Sequence, residues 1–394
     1  AAFYVTVAGA LAAALPPPAP ERSPAPIEPG PVAGTALVFG GTGFLGRELL
    51  WRVLERSPDR KAVCIVQERY EADAKKARAE IEAAHPSVKG RIELVRGDIV
   101  RPDLGLSNAA ELAKDVVEVY HLAAVYDLAV GRDLAVKVNV EGTRHVLDFC
   151  ARCPSLERHH YVSTCYVSGR YTGIFREDDL EKGQAFNNFY EETKHLAEVE
   201  VRRRWDQIPT TIYRPAIVVG DSSTGATQKY DGPYFAIRFL LKQKGPIAII
   251  PVVGDPTTVR LNVVPRDFVV GAITALSGRT DNVGRCYQLA DPEPLTVAEL
   301  TDAMERELGK KLVRIPLPLG LAKQAIAKVP GVQSIFEFPE HVVDYYVHPT
   351  HYDTTWSEAD LEEHGIRCPR FDSYLGRLFD YVKANPGVSS KAMV

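Results

Sequence analysis

Tyr190 and Lys194 are four positions apart, a spacing that suggests acid–base chemistry. They lie in NFYEETKHLAE, a segment of helical composition, and residues i and i+4 of a helix share one face. An ammonium group beside a phenol lowers the phenol pKa from its usual value of about 10, which prepares it for proton transfer near neutral pH. We therefore predict that Tyr190 and Lys194 form a catalytic pair. A surface tyrosine beside a surface lysine is the alternative.

Hydroxyl side chains in a preceding segment, STCYVSG, are candidates for binding a substrate carbonyl. A hydroxyl at the end of a strand can donate a hydrogen bond to a carbonyl oxygen, and Ser163, Thr164 and Ser168 all meet that description. Asn139, in VNVEGT, could orient Lys194 through a water molecule or could instead have a structural role at a helix N-terminus. At this point each of these alternatives stays open.

Three glycines at Gly40, Gly43 and Gly46 stand between the apolar run TALVF and the helical pattern RELLWRVLERS. In a dinucleotide-binding turn, the first glycine allows the tight turn, the second lets the backbone approach the pyrophosphate, and the third lets helix and strand pack closely. Free N–H groups at the helix N-terminus then bind the phosphates. A plain glycine-rich turn is the alternative. The predicted cofactor site also includes the intervening residues Thr42, Phe44 and Leu45.

Further nucleotide contacts are predicted at the ends of later strands. In GDI, the carboxylate of Asp98 can accept a hydrogen bond from an adenine amino group and the N–H of Ile99 can donate to the ring, although Asp98 could equally cap a turn. In HLAA, small residues such as Ala123 leave room for the ribose and nicotinamide, whereas we expect His121 to be a packed core residue. We also include Pro215, at the end of a sixth apolar run.

Six apolar runs alternate with helical segments between residues 35 and 220. This alternation predicts βαβ units and a parallel sheet. With right-handed crossovers the result is a doubly wound sheet, the Rossmann fold, which binds ligands at the carboxyl ends of its strands. The predicted strands are TALVF, KAVCIVQ, RIELVRGDI, VVEVYHLAA, HHYVSTCYVSG and TTIYRPAIVVG.

The predicted fold class is therefore α/β, with a smaller mixed C-terminal lobe that shapes the substrate site. We place an Ala/Pro-rich tail and linker at 1–33 and the dinucleotide-binding domain at 34–220, to which 258–278 returns. The substrate-binding lobe then comprises 221–257 and 279–394. Within the lobe, IAIIPVVGD is a predicted strand, and LTVAELTDAMEREL and GLAKQAIAKV are predicted helices.

Composition and charge exclude some classes of protein. The 394 residues include 47 Lys and Arg and 51 Asp and Glu, which gives a net charge of −4. Nucleic-acid-binding proteins usually have a strongly basic surface, so this composition argues against that class. The apolar segment 1–15 is too short to span a bilayer, and no cationic region precedes it, so we expect neither a membrane span nor a secretory signal there. It remains a candidate for contact with a membrane surface or a partner protein.

The six cysteines are sparse for a chain of this length, which indicates free thiols and a reducing compartment, either cytoplasm or an organellar matrix. Cys150 and Cys153 form a CxxC, but no second pair follows. Two cysteines without further ligands make a poor zinc site, so we interpret this spacing as chance at a helix end and predict no metal.

Together these motifs resemble the extended short-chain dehydrogenase/reductase superfamily over about residues 35–275. GGTGFLGRELL, VYHLAAVYD, YVSTCYVSGR, NFYEETKHLAE and YRPAIVVGDSSTG are similar to its fatty acyl-CoA reductase and thioester reductase subgroup. The resemblance implies an NAD(P)-dependent oxidoreductase in which Tyr190 and Lys194 are catalytic. The superfamily's (S/T)xxxxG run, counted back from Gly169, implies that Thr164 is the catalytic hydroxyl.

Two features bear on the comparison with that subgroup. Its members usually have an arginine after the second strand that binds the 2′-phosphate of NADP, and here the matching position is Gln67, followed by Glu68 and Arg69. Arg69 could take over that role, or Glu68 could hold an NAD ribose instead; we favour NADP(H). The GDSS at 220–223 resembles a phosphopantetheine attachment site only superficially, and we interpret it as a substrate-side loop.

In the subgroup, hydride reduces an acyl thioester to an aldehyde, and in some members to the alcohol. The sequence shows no adenylation or carrier domain, so we expect an acyl-CoA or acyl-carrier-protein substrate, or a related lipid-like carbonyl. The alternatives are a hydroxysteroid- or 3-hydroxyacyl-type dehydrogenase and a nucleotide-sugar epimerase, although basic residues for a diphosphate are lacking after Pro215. The non-catalytic alternative is a nucleotide-binding subunit of a larger assembly. The presence of Thr164, Tyr190 and Lys194 together argues against it, because a purely structural subunit would not need all three.

Overall fold

A seven-stranded parallel sheet forms the centre of the described part of the chain, residues 34–320 and 340–389 of a computed structural model. The strands are β1 (Thr35–Phe39), β2 (Lys61–Val66), β3 (Ile92–Arg96), β4 (Val116–His121), β5 (Arg158–Val162), β6 (Gly173–Phe175), β7 (Thr210–Pro215), β8 (Ile217–Val219), β9 (Ile247–Val253), β10 (Val263–Pro265), β11 (Cys286–Leu289), β12 (Lys311–Leu317) and β13 (Thr350–Tyr352). The order in the main sheet is β11-β7-β5-β4-β1-β2-β3. The first strand, β1, therefore lies in the interior of the sheet, and the later strands extend the sheet first to one edge and then to the other.

Helices cover both faces of this sheet. They are α1 (Gly46–Arg56), α2 (Glu71–Ala84), α3 (Ala109–Asp115), α4 (Arg132–Ala135), α5 (Gly142–Cys150), α6 (Phe189–Arg202), α7 (Pro233–Lys242), α8 (Arg266–Ser277), α9 (Val297–Leu308), α10 (Thr355–Glu362) and α11 (Phe371–Ala384), with a π-helical turn (Val136–Glu141) between α4 and α5. Because side chains of a strand alternate between faces, Ala36 and Val38 of β1 pack with α1, α2 and α8, whereas Leu37 and Phe39 pack with α3, α5 and α6. The predicted doubly wound α/β fold is thus confirmed.

The C-terminal half departs from the predicted boundaries in two places. The predicted sixth strand ends in the main sheet at Pro215, and its continuation β8 pairs instead with β10 in a separate two-stranded sheet. The predicted substrate lobe, 279–394, contains β11, which is the edge strand of the main sheet beside β7. Sequence pattern could not show this, since the pairing of an edge strand depends on contacts with residues far along the chain. Helix α8 does return to the sheet domain, where it packs against α1.

A second core belongs to the smaller lobe. It is formed by α7, α9 and α11 together with the parallel pair β9 and β12. The predicted strand IAIIPVVGD corresponds to β9, and the predicted helix LTVAELTDAMEREL corresponds to α9. The α9 helix begins with a capping box, in which Thr296 and Glu299 each bind the other's backbone N–H. The predicted helix GLAKQAIAKV and the 1–33 tail lie outside the described residues. None of the described helices is both long and apolar enough to cross a membrane.

Candidate active site

A cavity of about 360 Å³ opens at the carboxyl ends of the central strands. Its wall includes Gly40 after β1, Leu122 after β4, Thr164 after β5 and Pro215 at the end of β7. This is the edge at which doubly wound sheets bind their ligands, because the strand order reverses there. Eight of the predicted site residues line the cavity: Gly40, Phe44, Leu45, Gly46, Thr164, Tyr190, Lys194 and Pro215.

Tyr190 and Lys194 lie on α6, which begins immediately after Asn188. The side chain of Asn188 accepts a hydrogen bond from the N–H of Glu191, so the helix starts with a satisfied cap. Tyr190 is thereby held in the first turn of the helix, and Lys194 follows one turn later on the same face. Both side chains reach the cavity, as the spacing predicted.

Of the three candidate hydroxyls, those of Ser163 and Thr164 belong to residues of the cavity wall. The hydroxyl of Ser163 donates to the carboxylate of Glu198 at 2.7 Å. The hydroxyl of Ser168 lies 3.3 Å from that of Tyr352, away from the cavity wall. Thr164 lines the cavity and interacts with Tyr190, so the structure places these two hydroxyls together.

The pKa values of Tyr190 and Lys194 do not follow the prediction that the lysine lowers the pKa of the tyrosine. Burial raises the pKa of Tyr190 to about 12, and the Thr164 hydroxyl acts against this by lowering it. Burial lowers the pKa of Lys194 to about 7, while the carboxylate of Glu198 raises it. The ammonium nitrogen donates to the Tyr161 hydroxyl at 3.0 Å and to the carbonyl of Val162 at 2.9 Å. The expected lowering of the Tyr190 pKa by Lys194 is therefore wrong for this structure, because strand β5 holds the lysine.

Asn139 binds the backbone rather than Lys194. Its side-chain oxygen accepts from the N–H of Val125 at 2.9 Å, and its nitrogen donates to the carbonyl of Val125 at 3.1 Å and to the Thr193 hydroxyl at 3.0 Å. Asn139 lies in the π-helical turn before α5. It therefore joins the loop after β4 to the helix that carries Tyr190, which is a structural role.

The glycine turn fits a dinucleotide on steric grounds. A Cβ atom at Gly46 would lie 2.1 Å from the carbonyl oxygen of Gly40, so any side chain there would overlap the backbone. Gly40 has φ of 79°, a left-handed conformation that favours glycine, and a Cβ there would lie 3.0 Å from the N of Ala123. The N–H of Gly43 donates to the carbonyl of Gly40 at 3.0 Å and closes the turn. The backbone is thus compact where the pyrophosphate would lie.

The predicted adenosine end of the site lies beyond this turn, at the ends of β2 and β3. Gln67 connects two charged residues predicted to lie there, Asp98 and Arg69. The amide nitrogen of Gln67 donates to Asp98 at 2.9 Å, and its amide oxygen accepts from Nε of Arg69 at 2.9 Å. Asp98 also accepts from the N–H of Val100 at 3.1 Å, so the turn-capping alternative is realised. Glu68 is paired with Arg96 at 3.1 Å.

The remaining predicted residues support the site from outside the cavity wall. His121 is fully buried in contact with the rings of Phe39 and Tyr161, and burial lowers its pKa well below the usual value, as a packed histidine requires. Thr42, Gly43 and Ala123 lie next to residues of the wall, and Ile99 packs against Gly142 of α5. In the described part of the chain, no group of three His, Cys, Asp or Glu side chains could hold a metal ion.

Sequence reasoning missed much of the aromatic wall. Tyr126, Tyr166, Tyr345 and Tyr346 all line the cavity, although they come from three distant segments. The rings of Tyr166 and Tyr345 meet edge to face, with centroids 4.7 Å apart. Lys229 also lines it, paired with Asp231 and placed over the ring of Tyr126. No local pattern marks these residues, since only the folded C-terminal lobe brings them to the strand ends.

Fold and site together define an NAD(P)-dependent oxidoreductase of the extended short-chain dehydrogenase/reductase type. The model of an NAD-binding family described as "Male sterility protein" matches residues 38–273. The chain belongs to that family, which confirms the resemblance inferred from its motifs.

Individual relatives agree with this assignment. The chain is 30% identical over 365 residues to a linear gramicidin synthase subunit of Brevibacillus parabrevis, a match that covers 88% of this chain and 7% of that protein. It is 26% identical over 170 residues to the alcohol-forming fatty acyl-CoA reductase of Simmondsia chinensis, covering 38% of this chain and 34% of the relative. The crystal structure of the terminal R domain from the myxalamid PKS-NRPS biosynthetic pathway matches with a TM-score of 0.76 and 27% identity, covering 91% and 92% of the two chains. The chain thus spans less than two thirds of the length of the two curated relatives.

Proposed function

We propose that this protein reduces an acyl thioester, presented as a coenzyme A or carrier-protein adduct, to an aldehyde and a free thiol. One observation carries the proposal: the hydroxyls of Thr164 and Tyr190 and the amine of Lys194 line a single cavity beside the glycine turn. Most of the other residues of its wall are apolar or aromatic, which suits an acyl chain.

The residues of the chain have separate tasks in this reaction. Bound NAD(P)H supplies the hydride. Thr164 Oγ1 and Tyr190 Oη donate hydrogen bonds to the carbonyl oxygen as it becomes an oxyanion, an interaction worth roughly 3–4 kcal/mol per donor in well-studied enzymes. Tyr190 then gives its proton to that oxygen. When the adduct collapses, the C–S bond breaks, and the hydroxyl proton is passed on to the leaving thiolate. Tyr190 then regains a proton from solvent, so that one hydride and one proton are consumed in each turnover.

The pKa of Tyr190 favours reduction over alcohol oxidation. Burial raises this pKa to about 12, so the phenol keeps its proton throughout the neutral range and can act as the donor. Oxidation of a secondary alcohol would need the phenolate as a base, which the same burial disfavours. A protonated phenol would serve ketone reduction equally well, so this pKa supports the reductive direction and does not select the class of carbonyl substrate.

We further propose that NADP(H) is preferred and that Arg69 binds its 2′-phosphate. The guanidinium of Arg69 is exposed at the end of β2, and among the described residues its terminal nitrogens make no hydrogen bond. Glu68, which could otherwise hold an NAD ribose, is paired with Arg96. Arginine can bind a phosphate through two parallel hydrogen bonds, which makes it the better match for NADP.

Incubation with NADPH or NADH and acyl-CoAs of several chain lengths tests the reaction. We expect consumption of the reduced nucleotide with release of equal amounts of thiol and aldehyde. If no thiol appears but secondary alcohols are oxidised with NAD(P)+, the protein is a hydroxysteroid- or 3-hydroxyacyl-type dehydrogenase. If neither reaction occurs while a nucleotide binds, a role as a subunit of a larger assembly replaces this proposal.

A further inference from the structure

The outer face of the two-stranded sheet formed by β9 and β12 is an exposed aliphatic surface. The strands pair in parallel with Ile249 beside Val313, so alternate residues of both strands point to the same side. Ile247, Ile249, Val313 and Ile315 are 56%, 44%, 43% and 45% exposed, respectively. We call these four side chains the aliphatic face. Large exposed apolar side chains are usually scattered singly, whereas these are neighbours.

The opposite side of the same strands is firmly packed. Ala248, Ile250 and Leu312 are buried in the core of the smaller lobe, against α7 and α9. Arg314 also points inward, where it donates to Thr301 and pairs with Asp302 of α9. The aliphatic face is therefore the exposed side of a sheet whose other side is packed against the core of the smaller lobe.

The segments around this face are basic. Residues 242–254 and 309–320 contain four lysines and no Asp or Glu, and their one arginine, Arg314, is paired with Asp302 on the opposite side of the sheet. Lys242, Lys244 and Lys311 are exposed near the N-terminal ends of the two strands, and Lys310 joins the strands by donating to the carbonyl of Gln243. The surface thus combines apolar side chains with a positively charged border.

We propose that the aliphatic face and its lysine border form a docking surface for an anionic lipid bilayer. Amphipathic surfaces with this composition bind membranes through apolar burial and attraction to acidic head groups. A protein partner fits less well, because protein interfaces are enriched in aromatic residues and arginine and depleted in lysine. The aliphatic face contains neither an aromatic ring nor a hydrogen-bonding side chain.

The surface is connected to the cavity through one segment, a 3₁₀-helical stretch at Glu340–Val347. Val343 and Val347 pack against Val253 and Leu317 at the far end of the β9–β12 pair. Tyr345 and Tyr346 of the same segment line the cavity. A bilayer on the aliphatic face would therefore lie near the site where a lipid-like acyl group is reduced, a consequence that rests on the proposed function, although membrane binding itself does not.

Vesicle flotation of the full chain tests the proposal. We expect binding to vesicles of phosphatidylcholine with about 30% phosphatidylserine, and much weaker binding to pure phosphatidylcholine. The double variant Ile249→Ser/Val313→Ser should weaken binding by at least about tenfold, because it removes apolar burial. Its matched control is Ile174→Ser/Val283→Ser, which alters residues of the same types and similar exposure, 51% and 47%, elsewhere on the surface.

The lysine border gives a second, independent variant should the serine variant fail to fold. Lys244→Gln/Lys311→Gln should weaken binding about fivefold for each lysine and reduce its sensitivity to salt, whereas Lys89→Gln/Lys137→Gln should not. Equal binding by test and control variants would overturn the proposal, as would no binding by the unaltered chain. A dimer that is lost in the serine variant, without vesicle binding, would assign the face to a second copy. Because flotation needs no turnover, its failure is distinct from a failure of thioester reduction.

Discussion

At the scale of single residues, Tyr190 is the group whose loss should affect chemistry most selectively. Tyr190→Phe removes the proton donor but keeps the ring that fills the cavity wall, so we expect turnover to fall about a hundredfold to ten-thousandfold with nucleotide binding retained. Steady-state kinetics and nucleotide titration measure the two effects. Tyr166→Phe, which alters another tyrosine of the wall, is the control, and wild-type turnover in the Tyr190 variant would contradict the assignment.

Lys194 should give the reaction a pH dependence near neutrality. Its pKa is lowered to about 7, so the ammonium form is present below pH 7 and is lost as the pH rises through that value. If the charged form is needed, kcat/KM should decline above pH 7. Tyr161→Phe removes a hydroxyl that accepts from the ammonium, which destabilises the charged form and should move the decline about one pH unit lower. An unaltered pH profile in this variant would show that Tyr161 does not position the lysine.

Arg69 should determine the choice of cofactor. Arg69→Ala removes the proposed phosphate ligand, so we expect the affinity for NADPH to fall about tenfold or more while that for NADH changes little. Titration of the two nucleotides against the same variant makes the comparison internally controlled. Equal changes for both would indicate that Gln67 and Glu68 define an NAD site.

At the scale of elements, the glycine turn offers a test of backbone packing. Gly46→Ala should abolish nucleotide binding or prevent folding, because its Cβ would lie 2.1 Å from the carbonyl oxygen of Gly40. Gly271→Ala is the matched control in the interior of α8, where nothing lies within 4 Å of an added Cβ. There the substitution should stabilise the helix by about 0.5–1 kcal/mol. Thermal unfolding and nucleotide titration separate the two outcomes, and normal binding by the Gly46 variant would contradict the packing argument.

Elements that depend on local pattern were predictable from sequence. The glycine turn, α6 with its Tyr190 and Lys194, and the first five strands follow from spacings within about ten residues. The contact between Lys194 and Tyr161 was not predictable, because it joins a helix to a strand 33 positions away. For the same reason, the separation of β8 from β7 and the return of β11 to the main sheet were missed. Neither pairing leaves a periodic signal, and both depend on which edges remain free once the sheet has formed.

At the scale of the whole molecule, Glu177 joins the sheet edge to a helix near the C-terminal end of the chain. Its buried carboxyl group accepts from the N–H groups of Gln288, at the sheet edge, and of Trp356 and Ser357, at the start of α10. Glu177→Gln would turn an amide nitrogen toward these donors, so we expect a loss of about 2–3 kcal/mol in the free energy of unfolding.

Urea denaturation measures this effect, and Asp178→Asn is the control because that side chain is exposed. A second readout is pH. Burial raises the pKa of Glu177 to about 8, so its contribution to stability should decline as the pH rises from the ordinary carboxyl range to 8. Matching stability of the two variants would show that Glu177 does not hold α10 to the sheet.

The burial of the cysteines affects both the proposed reaction and the way it can be assayed. All six are unpaired, five are buried, and burial raises the pKa of each of these five, including Cys165 next to Thr164. A protonated, inaccessible sulfhydryl is a poor nucleophile, so none of the five should capture the acyl group before reduction. The same property makes the native enzyme nearly silent to colourimetric sulfhydryl reagents. Beyond any reaction of the partly buried Cys368, each equivalent of colour in an assay would then report one molecule of thiol released from the substrate. Unfolding would reveal the hidden sulfhydryls as a separate, later step.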